Sequence, residues 1–94
     1  MIRTAAATLT EPSEPEMLTL AQELGRAIQR KRGERCITQL TLTERTGIAQ
    51  ADISRLEHGM GNPSVRTLMR IAEGLHCRLR FEFVDADAEG DGPW

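Results

Sequence analysis

The sequence predicts a mainly α domain of four to five short helices, followed by one C-terminal β-strand that pairs across a dimer. Three observations carry this expectation. Apolar residues recur at three- and four-residue spacing through the central part of the chain. Glycines and a Gly/Asn/Pro/Ser cluster divide that pattern into separate helical stretches. From Arg78 the pattern switches to strict alternation of charged and apolar residues, the signature of a strand. At 94 residues, 39% of them hydrophobic, the chain has room for one small domain with a modest core.

The elements follow in order. Residues 1–13 are expected to form a flexible arm. Ser13 to Glu16 reads as S-x-x-E, a capping box, with Pro15 tolerated in a first turn. A helix from Glu14 to about Arg32 carries the stripe Leu18, Ala21, Leu24 and Ile28, and Gly33 is expected to end it. Two short helices follow, Gln39–Thr46 behind Thr38 as a cap and Gln50–His58 running up to Gly59. Gly61-Asn62-Pro63-Ser64 is a loop, and Ser64 caps a fourth helix from Val65 to about Leu75. That helix is expected to bury Val65, Leu68, Ile71, Ala72 and Leu75. Residues 14–77 thus form the domain, 78–84 a dimerisation strand, and 85–94 an acidic flexible tail.

The net charge of −2 argues against a polyanion partner until its distribution is read. Eleven of the twelve Arg and Lys residues lie between positions 25 and 84, against six acids there. The segment before position 25 and the last ten residues are both acidic. Placement of charge decides such a partner more than its total does.

Residues 39–57 carry the functional signal. Two helices joined by a short turn around Gly47 make a helix-turn-helix. Leu42, Ile48, Ile53 and Leu56 supply the apolar contacts between its helices. Thr43 stands where a small residue is needed, and Gly47 supplies positive φ for the turn.

The stretch Thr38-Gln39-x-x-Leu42-Thr43-x-x-Thr46-Gly47-Ile48-x-Gln50-x-x-Ile53-Ser54-Arg55-x-Glu57-x-Gly59 resembles the XRE-type helix-turn-helix family, which includes phage repressors and Cro. Asn62-Pro63-Ser64-x-x-Thr67-Leu68-x-x-Ile71-Ala72 is similar to the family's fourth helix, and the resemblance covers about residues 18–76. Three positions depart from it. Ala49 replaces the usual Ser or Thr cap of the recognition helix, Thr43 the usual Ala, and Thr41 the usual Glu. The added strand makes the layout similar to HigA- and HipB-like antitoxins. The resemblance therefore implies a dimeric, sequence-specific transcriptional repressor of double-stranded DNA, reading a near-palindromic operator. The alternative it leaves open is an antitoxin that binds a cognate toxin protein and represses its own operon.

Helical geometry assigns the side chains. With Ile53 and Leu56 inward, Ala51, Ser54, Arg55 and His58 face outward, and Gln50 lies at the tip of its helix. Gln50, Ala51, Ser54 and Arg55 are the candidate base contacts. Arg55 suits guanine, Gln50 adenine, and the Ala51 methyl a thymine methyl. Thr38, Gln39 and Asn62 are the candidate phosphate contacts. Arg32 falls on the apolar stripe of the first helix and Glu57 beside Ile53, so the two are expected to form a structural ion pair, as the family has at these positions. Leu79, Phe81 and Phe83 share one face of the strand and are the candidate dimer interface.

Other signals are weaker. Arg26, Arg30, Lys31, Arg32 and Arg35 make a basic run whose bland reading is a solvated face. Cys36 and Cys77, 41 positions apart, lack companion ligands and read as idle thiols. No metal, cofactor or enzymatic activity is expected, since there is no nucleophile–base set and no Gly-rich phosphate loop. No apolar run is long enough to span a bilayer, and a cytoplasmic location is expected.

Overall fold

A computed structural model describes residues 14–85. It holds four helices, α1 (Glu14–Arg35), α2 (Gln39–Thr46), α3 (Gln50–Glu57) and α4 (Val65–Gly74). The arm, the Ser13 side of the capping box and the tail beyond Asp85 lie outside the described residues. α1 packs against α3, while α2 packs against both α3 and α4. Their shared core is Ile28, Ile37, Leu42, Ile48, Ile53, Leu56, Ile71 and Leu75, with Leu24 and Cys77 packed at its edge. Leu42 and Ile53 are completely buried at its centre, where α2 crosses α3.

The two outer helices approach this pair closely because each carries glycine at its contact, α1 against α3 and α4 against α2. A Cβ on Gly25 would sit 2.5 Å from the Leu56 carbonyl oxygen, so α1 can approach the end of α3 only without a side chain there. Gly74 does the same for α4, where a Cβ would meet Thr46 Cγ2 at 2.7 Å.

The helix ends show where local sequence and tertiary demand differ. Gly33 does not end α1: the helix runs on to Arg35, and the left-handed residue is Cys36, φ 55°. Cys36 N–H bonds the Gly33 carbonyl (3.2 Å) and Ile37 N–H the Arg32 carbonyl (2.9 Å), a Schellman end. Burial of Ile37 sets this register, because the chain must turn where Ile37 can enter the core. α4 ends in the same way, with His76 at φ 60° and Cys77 N–H on the Ala72 carbonyl at 2.8 Å. After α2 and α3 the positive-φ residue is a glycine, Gly47 at 77° and Gly59 at 79°.

Two burial expectations fail. Leu18 is 57% exposed and Val65 is 54% exposed, because nothing among the described residues packs over the first turns of α1 and α4. The expected strand over 78–84 is also absent. Residues 77–85 form neither helix nor ladder, with Phe81 and Phe83 exposed and Leu79 half-buried. A strand exists through hydrogen bonds to a neighbour, and the described part of one chain offers this segment none.

Candidate nucleic-acid interface

The interface is built outward from the bond network at the end of α3. Glu57 is 5% exposed and its carboxylate is fully engaged. Arg32 Nε donates to Oε2 at 2.6 Å and Arg32 Nη2 to Oε1 at 2.9 Å, a two-pronged guanidinium–carboxylate pair. Gln39 Nε2 donates to the same Oε1 at 2.9 Å. Gln29 Nε2 reaches the Glu57 carbonyl at 3.3 Å, and Arg32 Nη1 the Ile37 carbonyl at 3.0 Å. Burial alone would raise the Glu57 carboxyl; the bonds from Arg32 and Gln39, with the charges of Arg32 and His58, outweigh it and hold the group below its ordinary value. The bond to Glu57 raises the Arg32 guanidinium in turn, against the opposing effect of burial. One buried anion thus ties α1, α2 and α3 together.

On the opposite side of α3 the candidate base-reading positions emerge. Gln50, Ala51 and Arg55 are exposed and Ser54 is half-buried, while Ile53 and Leu56 point into the core. Gln50 Nε2 faces Gln39 Oε1 at 3.5 Å, so the tips of α2 and α3 meet. His58 Nδ1 lies 2.7 Å from the Ser54 carbonyl, and since that oxygen only accepts, Nδ1 carries the proton. α3 has no side-chain cap at Ala49. By contrast, Thr38 Oγ1 accepts from Thr41 N–H at 3.0 Å and Ser64 Oγ from Thr67 N–H at 3.1 Å.

The candidate phosphate contacts are not equivalent. Asn62 is exposed, and it shares an open groove between α3 and α4 with Arg55 and Arg70. The Thr38 hydroxyl donates to Thr41 Oγ1 at 3.0 Å, so its proton is engaged and the Thr41 hydroxyl is the one left to donate outward. Gln39 gives one amide proton to Glu57, which makes it a brace between helices.

Several cations of the basic central segment also brace the scaffold. Arg35 Nε donates to the Leu75 carbonyl at 2.7 Å, Arg45 Nη1 to the Gly74 carbonyl at 2.9 Å, and Arg70 Nη2 to the Thr46 carbonyl. Each satisfies a carbonyl at or beside the C-terminal end of a neighbouring helix, where the helix leaves acceptors unpaired. Lys31 pairs with Glu34 at 3.2 Å. Arg35, Arg45 and Arg70 are exposed, like Arg26, Arg30, Arg55, Arg66, Arg78 and Arg80, and differ from them in the carbonyl each one bonds, which sequence reading did not foresee. The only signal available was position: Arg35 and Arg45 lie in the last turns of their helices.

Among the described residues no helix is long and apolar enough to cross a membrane. A family model described as helix-turn-helix matches residues 28–81. Comparisons with curated proteins and with solved structures return no match.

Proposed function

We propose that this chain, which belongs to the XRE-type helix-turn-helix family of DNA-binding regulators, is a dimeric repressor that reads a near-palindromic operator with the outward face of α3. The observation that carries this reading is the division of α3 into two faces. Ile53, Leu56 and Glu57 anchor it, leaving Gln50, Ala51 and Arg55 exposed along the other side of a rigidly held helix. Such a helix fits the major groove, with Arg55 pairing to guanine and Gln50 to adenine. Phosphates flank it at the tip of α2 and in the Arg55–Asn62–Arg70 groove.

A single helix reads too few base pairs to select one operator in a genome, so specificity calls for two copies. The exposed apolar run Phe81, Phe83 and Val84 supports pairing of the 78–84 segment with its equivalent in a second chain. Two recognition helices would then address half-sites about 34 Å apart. An antitoxin would share the same DNA face and differ in having a protein client.

The test is selection of bound duplexes from a random library, followed by Arg55→Ala. Loss of about 1–3 kcal/mol for the selected site, with binding to random duplex nearly unchanged, supports base reading by Arg55. Retention of full selectivity overturns that assignment, and failure to enrich any duplex overturns the reading as a whole.

A further inference from the structure

A groove runs between α4 and the 77–85 segment. Val65, Met69 and Ala72 stand at i, i+4 and i+7 on its α4 wall, and Leu79 and Phe81 line the other. Met69, like Val65, is more than half exposed there. Burial alternates along the segment: Cys77 and Leu79 are half-buried, Arg78 and Arg80 exposed. Phe83 falls in the same alternation as Leu79 and Phe81, yet it is fully exposed at 103%, because nothing in the described part of its own chain lies against it. Among the described residues, the segment thus leaves one large aromatic without a seat and α4 an apolar stripe without a cover.

The segment's own residues restrict how two copies can pair. In an antiparallel pair about a two-fold axis, residues equally distant from the axis stand opposite each other with side chains on the same face. An axis at Arg80 or Glu82 brings identical charges together, and one at Leu79 sets Arg78 against Arg80. One at Phe83 sets Phe81 against Asp85, and an axis between residues turns a phenylalanine toward a charged side chain. An axis at Phe81 satisfies the set. Phe81 then meets its own copy, and by symmetry Leu79 meets Phe83 twice and Arg80 meets Glu82 twice.

Resting on the dimer read above, we propose that the 78–84 segments pair about Phe81 and that Phe83 of each copy seats in the α4 groove of the other. Leu79 and Phe81 line that groove, so the partner's Phe83, opposite Leu79, is turned to the same side. Its diagonal neighbours are Cys77 and Phe81, and the exposed Val65 and Met69 complete the pocket. The seat covers the α4 stripe and the exposed aromatic together, once in each copy. Since α4 packs against α2, it also fixes the dimer axis relative to the helix-turn-helix.

The test places single thiols in the full chain carrying Cys36→Ser and Cys77→Ala. Under mild copper–phenanthroline oxidation, Phe81→Cys should link to its own copy. Phe83→Cys should not, since its copy lies about 13 Å further along the pair, beyond disulfide reach. Phe83→Cys mixed with Met69→Cys should give the mixed dimer. Light scattering on the same chains separates two failures. Dimers that give no mixed product, or that link Phe83→Cys to itself, overturn the register and the seat and leave the dimer standing. Monomers at every concentration overturn the dimer reading as well. As a second measurement, Met69→Glu should weaken dimerisation about tenfold with the far-ultraviolet helical signal retained, whereas Met17→Glu, exposed to a like degree on α1, should not. Equal effects of the two variants overturn the proposal. So does a dimer lost on removing residues 86–94, which would make that segment the contact.

Discussion

Gln39, the first residue of α2, donates its side-chain amide to Glu57 Oε1 at 2.9 Å, the same oxygen that Arg32 Nη2 holds at 2.9 Å from α1. The position that opens α2 is therefore locked to the residue that ends α3. The relative placement of α2 and α3 depends on one buried carboxylate.

Removing Arg32 leaves that carboxylate buried with Gln39 as its only remaining side-chain donor. Arg32→Ala should lose about 3 kcal/mol of stability, whereas Gln39→Ala, which leaves the ion pair intact, should lose about 1 kcal/mol. Urea unfolding of the two variants checks the order. An Arg32→Ala chain as stable as its parent would remove the pair from the scaffold.

The same site dictates acid sensitivity. Glu57 is held below the ordinary carboxyl value of 4.5, so folding binds it better as the anion. Its contribution is complete above that ordinary value and disappears as pH falls through the lower, folded one. Stability should therefore drop below about pH 4.5, and Glu57→Gln, less stable at neutral pH, should show a shallower decline. Unfolding midpoints between pH 7 and pH 3 measure both.

Thr43 carries a buried hydroxyl oxygen without a hydrogen-bond partner, at the position where the helices need a small residue. Thr43→Val keeps the shape and removes the orphan group, so it should stabilise by about 1 kcal/mol. A calorimetric Tm that rises meets the expectation. A falling Tm would show that the hydroxyl has found a partner.

Ala49 leaves α3 uncapped, while Thr38 and Ser64 cap α2 and α4. Ala49→Ser should add a bond to the first turn and raise stability by about 1 kcal/mol in denaturant titration.

Phe81 is 64% exposed in one chain. If the 78–84 segments pair, Phe81→Asp should yield a folded monomer with weak DNA binding that does not discriminate sequence. Light scattering combined with duplex titration reads both properties. A variant that stays dimeric and keeps its operator places the dimer contact elsewhere.

The helix-turn-helix was legible because its determinants are local. Gly47 at φ 77°, the caps Thr38 and Ser64, and the spacing of Leu42, Ile48, Ile53 and Leu56 all act within a few residues or one helical face. The proximity of Arg32 to Glu57 could be read the same way, since each lay on its own helix's inward side. Other features depend on what a residue meets across the fold, which no periodicity encodes. Gly33 looked like a stop, yet α1 passes through it to Arg35 because Ile37 must turn into the core two residues after that end. Arg35, Arg45 and Arg70 were indistinguishable in sequence from other basic residues, yet each bonds a carbonyl at the end of a neighbouring helix. Thr38 and Gln39, expected as phosphate contacts, also bond within the domain, Thr38 to Thr41 and Gln39 to Glu57. Alternation in 78–84 specified which side chains share a face but not a partner strand, because a ladder is a property of two segments. Local preference thus chose the helices and which side of α3 faces outward, and long-range hydrogen bonding decided which charged and polar side chains brace the helices to one another.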